Sequence, residues 1–134
     1  MSEDHPNIAL LARFDPANVA DTVGVFAQDA LWHFYNPLLP DIHGDYVGHA
    51  GIKDFFEKVE RATGGAFRVN VVSIQAFGDE LVVVHRKQAI EMGDKQIESD
   101  VVVVWRMVDG QITEVWDIPS IHAAAVSQLD NRHD

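Results

Sequence analysis

Apolar residues recur every three to four positions in the first half of the chain and every second position in the rest. Ile8, Leu11, Ala12 and Phe14 form one stripe, which predicts a helix over Ser2 to Phe14. Asp15-Pro16 is a helix-start signal, a capping acid followed by proline at the first helical position. A second helix is therefore expected over Pro16 to Phe26, burying Val19, Val23 and Phe26, with Gly24 weakening it. Ala30 to Asn36 reads as a strand, with Trp32 and Phe34 on one face and Leu31, His33 and Tyr35 on the other. Asn36 precedes a proline and is biased towards extended backbone, so the strand ends there. The stretch from Pro37 to Gly48 reads as an irregular loop. Ile52, Phe55, Phe56 and Val59 give the third helix, His49 to Thr63, which Gly64-Gly65 stops.

From Ala66 the period becomes two. Phe67, Val69 and Val71 alternate, then Val72, Ile74 and Ala76 alternate on the opposite parity, which predicts a bulge near Val71-Val72. Gly78-Asp79, Gly93-Asp94 and Asp109-Gly110 punctuate strands over Glu80–Met92, Lys95–Val108 and about Gln111 to Ile118. Pro119 ends the last strand, and a short closing helix is expected over Ser120 to Leu129. Helices followed by a long meander predict an α+β domain with the helices on one face of a curved antiparallel sheet. Strands of this length fit a bent sheet closing over a cavity better than a flat one.

Composition narrows the function. At 134 residues the chain is one domain, and 47% hydrophobic with 23% charged residues is ordinary for a soluble globular protein. No apolar run approaches the roughly 18–20 residues of a membrane span, so no membrane partner is expected. The acidic start MSEDHPN is not a secretory signal. The chain has no cysteine, which removes disulfides, thiol nucleophiles and thiolate metal sites, and a cytoplasmic location is expected. A formal net charge of −11 argues against nucleic acid. Lys53, Lys58 and Arg61 interleave with Asp54, Glu57 and Glu60 and form a solvated face.

Several segments carry a resemblance over essentially the whole chain. They are Trp32-His33 before a proline-rich turn, GDYVGHAGIKDFF (Gly44 to Phe56), TGGAFRV (Thr63 to Val69) and VVVVWRMVDGQITEVWD (Val101 to Asp117). In this order the chain resembles the SnoaL-like and ketosteroid-isomerase-like branch of the nuclear transport factor 2-like superfamily. The resemblance implies a cone in which three N-terminal helices pack on a strongly curved, mostly antiparallel sheet enclosing an apolar pocket. It does not imply a reaction, because that fold hosts isomerases, cyclases, dehydratases, hydrolases and binders. The isomerases of this group use a base Asp before a proline at the end of the first strand, where this chain has Asn36-Pro37. Their oxyanion-hole acid falls near Val103, and no tyrosine occurs in the first two helices. Steroid isomerisation by that route is not expected. The polyketide-cyclase members place an acid/base Asp near the end of the last strand, which Asp117 matches. Trp116 and Asp117 are strand neighbours, however, and an ideal pleat sends them to opposite faces.

His33 and Asp117 are thus the candidate catalytic residues. His33 is either a base or ligand donor beside the loop, or a tie between loop and strand. Asp117 is either an acid/base raised by an apolar surround or a strand-end cap. Trp32, Phe34, Tyr35, Asn36, Tyr46, Val103, Trp105 and Trp116 are the candidate ligand wall, with the tyrosines either donating a phenol to a carbonyl or fastening a loop. His85, sharing a face with Val83, Lys87 and Ala89, is expected outside. His43, Asp45 and His49 have a metal-like spacing but no rigid frame, and no metal or cofactor is expected. The expected function is binding of a hydrophobic carbonyl or polycyclic small molecule, with cofactor-free acid/base catalysis of isomerase, cyclase or dehydratase type. The alternative is a non-catalytic ligand-binding or dimerising scaffold domain with a vestigial pocket. Val82, Val84, Val102 and Val104, taken as one outer face, predict a homodimer through the sheet.

Overall fold

The computed structural model describes residues 5–64, 67–92 and 95–120. Within them α1 spans Pro6–Leu11, α2 Val19–Thr22 and α3 Gly48–Thr63. The strands are β1 (Phe26–Phe34), β2 (Gly44–Val47), β3 (Phe67–Phe77), β4 (Leu81–Met92), β5 (Lys95–Val108) and β6 (Gln111–Pro119). They form one sheet in the order β2-β1-β6-β5-β4-β3. β1 runs parallel to β6, and the other neighbouring pairs are antiparallel. The helices pack on a curved, unclosed sheet, the α+β arrangement read from the change of period.

The meander follows its turn chemistry. Asp109 and Gly110 both take positive φ, 53° and 76°, as a two-residue turn matched to the twist of β5 and β6 requires. The register of β3 against β4 shifts between Val71 and Ser73, where the alternation changes parity. Such a shift bends the strand and helps the sheet wrap.

α3 supplies most of the cover. Its apolar stripe sets Ile52 and Phe55 into the core, with Phe56 and Val59 packed at the edge. Phe55 meets Trp32, Phe34 and Tyr46 at ring distances of 5.2, 5.0 and 5.2 Å. Burial of one such ring stabilises the fold by roughly 1.5–3 kcal/mol. The helix starts at Gly48, whose φ is 73° and where a Cβ would lie 2.9 Å from the Gln28 carbonyl oxygen. Only glycine lets the chain turn this close to β1. At the next residue, His49 Nε2–H donates to the Phe26 carbonyl at 2.8 Å and fixes the helix to the same strand.

The N-terminal half departs from the pattern. α1 covers only the middle of the expected Ser2–Phe14 helix, whose first three residues lie outside the described residues. The expected Pro16–Phe26 helix breaks into a 3-10 turn over Pro16–Asn18, the single turn α2, and another 3-10 turn over Val23–Val25. Asp15 does cap it, its carboxylate accepting from Ala17 N–H at 2.9 Å. Gly24 and the β-branched Val23 and Val25 then favour tightening the backbone over a continued α-helix. β1 consequently starts at Phe26 rather than Ala30. β2 was missed because four residues, with Gly44 at their head and Gly48 directly after, are too short a run to show alternation. The expected closing helix beyond Ser120 lies outside the described residues.

The proposed outer face also needs correction. Met92 pairs with Lys95, so even positions on β4 stand opposite odd positions on β5. Val82 and Val84 are therefore core residues facing Trp105 and Val103. Val102 and Val104 lie on the opposite face, beside His85 and Val83.

Candidate functional site

Alternation and register divide the candidates between the two sides of the sheet. Trp32, Phe34, Tyr46, Val103, Trp105 and Asp117 are buried on the side covered by α3. His33 and Trp116, paired with each other across β1 and β6, occupy the convex side. Trp116 and Asp117 thus separate as the pleat dictates, with no bulge between them.

On the convex side His33 is held at both nitrogens. Nδ1–H donates to Asp45 Oδ1 at 2.8 Å, and Nε2–H donates to Glu114 Oε2 at 2.7 Å. Partial burial opposes the charge, but the two carboxylates together outweigh it and raise the imidazole above its ordinary 6.5. Its ring stacks on Trp116 at 5.7 Å, and the Arg106 guanidinium covers Trp116 at 5.2 Å. With a carboxylate against each nitrogen, the ring presents neither of them to a ligand. This geometry ties β1, β2 and β6 together.

The α3 side holds a different arrangement. Asp117 is 3% exposed, and burial pushes its carboxyl up to about 6, against the pull of Arg86. Arg86 NH2 lies 3.8 Å from Asp117 Oδ2, and burial in turn lowers the guanidinium. The same face of the sheet carries groups without hydrogen-bond partners among the described residues: Arg86 Nε, Trp32 Nε1, Trp105 Nε1 and Gln88 Oε1. Along β4 the inner face thus changes from Val82 and Val84 to Arg86 and Gln88. A cleft of about 500 Å³ runs across β3, β4 and β5 beside Gln88, lined mostly by residues whose register turns them to the convex side, among them Asn70, Lys87, Glu98 and Asp100. A buried carboxyl of intermediate acidity beside a cation and spare donors, above an aromatic floor, suits proton transfer on a mostly apolar ligand.

A family model for the SnoaL-like domain matches residues 8–115. The chain belongs to the SnoaL-like family. No curated protein matches its sequence. Among solved structures, TerC co-crystallised with polyporic acid is 24% identical, with 93% of this chain and 98% of that one covered at a TM-score of 0.74. A nuclear transport factor 2-like protein of unknown function from Burkholderia pseudomallei is 18% identical, covering 92% and 96% at 0.76. A hypothetical protein from Catenulispora acidiphila, with a ketosteroid isomerase-like fold and bound trimethylamine, is 13% identical, covering 89% and 90% at 0.70. At these identities the likeness shows the fold alone.

Within this SnoaL-like domain the remaining candidates have structural partners. Tyr46 donates its hydroxyl to the Ile42 carbonyl, fastening the loop between β1 and β2. Asn36, at the isomerase-base position, is buried, and its Oδ1 accepts from Leu38 N–H at 3.1 Å. Its own N–H donates to His43 Nδ1 at 2.9 Å, and Tyr35 lies exposed with its ring 5.1 Å from that histidine. His85 is on the convex side as expected, donating to Asp100 at 3.0 Å. Among the described residues no group of three or more His, Asp and Glu side chains is placed to hold a metal. Sequence reading missed Arg86 and Gln88. Inside the run HRKQ they look like a solvated stretch, and only the parity of β4 against its apolar start separates them from His85 and Lys87.

Proposed function

We propose that this domain binds a hydrophobic small molecule bearing a carbonyl group and that Asp117 transfers a proton on it without a cofactor. The observation that carries this reading is the Asp117–Arg86 pair, a carboxyl with a pKa of about 6 buried on the face that carries Trp32, Phe34 and Trp105. Such a carboxyl exists in both protonation states near neutral pH, so it can take and return a proton. With a ketone bound there, carboxylate removal of an α-proton leaves an enolate, and the Arg86 guanidinium beside Asp117 is the group proposed to stabilise its oxygen. In a β,γ-unsaturated ketone the proton returns from Asp117 to the γ-carbon and the double bond moves; where the enolate instead attacks a second carbonyl carbon a ring closes, and the new alkoxide takes the proton from Asp117. The co-crystallisation of TerC with polyporic acid lends weight to a carbonyl-bearing ligand class.

The test is hydrogen–deuterium exchange at the α-carbon of 1-tetralone in D2O, followed by proton NMR. The wild type should accelerate exchange, and Asp117→Asn should lose that acceleration by at least a hundredfold while remaining folded. Equal exchange by both proteins would remove the catalytic reading.

One observation favours the non-catalytic alternative. Trp32 packs against Phe55 at 5.2 Å and edge-on to Trp105 at 5.5 Å, so the protein's own rings occupy much of the α3 side. In a scaffold reading the convex face is the working surface. Val102 and Ile118 are paired neighbours there, 37% and 46% exposed. Sedimentation of the purified protein tests this. A homodimer that becomes monomeric in Val102→Lys supports the reading, and a wild-type monomer at high concentration rejects it.

A further inference from the structure

β3 closes one end of the sheet, and among the described residues no strand pairs with its outer edge. It is 11 residues long, contains no proline, and carries no charge apart from Arg68. Long edges are usually blunted by charges or proline, because a row of unpaired N–H and C=O groups templates a further strand. The apolar side chains of β3 are exposed as well. Val69, Val71, Val72 and Phe77 are 42%, 51%, 50% and 51% exposed, and they make up four of the ten large hydrophobic residues exposed among those described. The charge pattern agrees. The 18 residues from Arg61 to Gly78 are the longest run without Asp or Glu in a chain of net charge −11, and they include two arginines. The repulsion that keeps acidic copies apart is therefore weakest along this edge.

The bulge decides the occupant. Before it, Val69 and Val71 stand beside Gln88 and Arg86 on the inner face. After it, Ile74 and Ala76 take that face beside Val84 and Val82, while Arg68, Asn70, Gln75 and Phe77 lie on the convex face. Laid antiparallel to itself about a twofold axis between Val72 and Ser73, the strand sets Val71 opposite Ile74 and Val69 opposite Ala76, all on the inner face. The same register sets Asn70 opposite Gln75 and Arg68 opposite Phe77, all on the convex face. Opposed side chains of an antiparallel pair must share a face, and here they do, with no like charges opposed. The extra residue of each copy lies at the axis, so neither strand gains a residue on the other. From this self-complementarity we infer that β3 is a docking edge for a second copy of this chain, joining two sheets into one across a twofold axis. The inference is independent of the chemistry proposed for Asp117, and it uses a different surface from Val102 and Ile118. Residues 68–77 alone make a small interface, so the dimer should be weak and depend on concentration.

Sedimentation velocity over roughly a hundredfold range of concentration should show the wild type passing from monomer to dimer. Val102→Lys should leave that behaviour unchanged. Asn70→Lys with Gln75→Lys sets like charges opposite one another at two exposed positions, and Asn70→Asp with Gln75→Asp does the same with the other sign. Each double variant should weaken dimerisation by about tenfold, and an equimolar mixture of the two should restore it, because opposite charges then face one another. Val71→Lys, opposite Ile74, is the further variant should either pair disturb folding, which circular dichroism reads. A wild type that stays monomeric throughout overturns the inference, as does a dimer that Val102→Lys dissolves. A dimer that the folded double variants leave intact, or a mixture of them that does not reassociate, overturns the assignment to β3.

Discussion

Asp117→Asn replaces the buried carboxyl with a neutral amide of nearly the same shape, and its effect on stability should depend on pH. The carboxyl ionises at about 6 in the folded chain, against 3.8 when freely solvated. Below 3.8 both states hold the proton, and ionisation adds nothing. Between 3.8 and about 6 the unfolded chain releases its proton first, so each pH unit removes about 1.4 kcal/mol from the folded state. Above that window the loss levels off at about 3 kcal/mol. Asparagine carries no such cost. Arg86 lacks a charged partner in the variant at every pH and in the wild type at low pH. Its attraction to the ionised carboxyl is already contained in the value of about 6. The stability of the variant relative to wild type should therefore rise by about 2–3 kcal/mol from pH 4 to pH 8, about 10 °C in Tm for a domain of this size. Urea unfolding followed by tryptophan fluorescence, at micromolar protein because the sequence pI is about 4.8, measures it. A difference that stays flat within 0.5 kcal/mol across that range would refute the reasoning.

Other expectations follow from the same geometry. His33 is raised above 6.5, so its stabilising charge is present below that value and lost as pH rises through the folded value. His33→Gln should cost less than about 1 kcal/mol at pH 6, less in high salt and nothing at pH 9, because Asp45 is largely exposed; thermal melts at the two pH values check this. Gly48→Ala meets both a positive φ and a 2.9 Å contact to the Gln28 carbonyl, and should cost about 1–3 kcal/mol in a urea melt. A melt unchanged from wild type would show that the start of α3 can move away from β1. Ile52→Ala, at a fully buried position, should cost about 2–5 kcal/mol by the same measurement.

The β half of the fold was legible because its signals are local. The Asp109-Gly110 turn demands left-handed backbone, and the change of alternation at Val71-Val72 is a bulge written in the sequence. The N-terminal turns were harder, since four-residue pieces such as α2 are held by neighbours such as Phe26 and α3 rather than by their own propensity. Of the site, Asp117 was readable as a residue and its surroundings were not. Its face follows from the pleat, but Arg86 reaches it from a strand two removed in the sheet, through pairings that no local pattern records. Sequence points to His33 beside Asp117 for its place next to the loop and to Trp116 as part of the ligand wall, and the sheet places both on the other side. The same parity slip that merged Val82 and Val84 with Val102 and Val104 hid Arg86 and Gln88 among solvated neighbours.

The most direct test of the account is a carboxyl 13C NMR titration of Asp117, assigned by comparison with Asp117→Asn, with and without 1-tetralone. The account predicts a midpoint near 6 in the free protein and a movement of that midpoint when the ketone binds beside the carboxyl. A midpoint near 4 that the ketone leaves in place would show Asp117 to be an ordinary ionised carboxylate, and would contradict it as the acid/base of a ligand site.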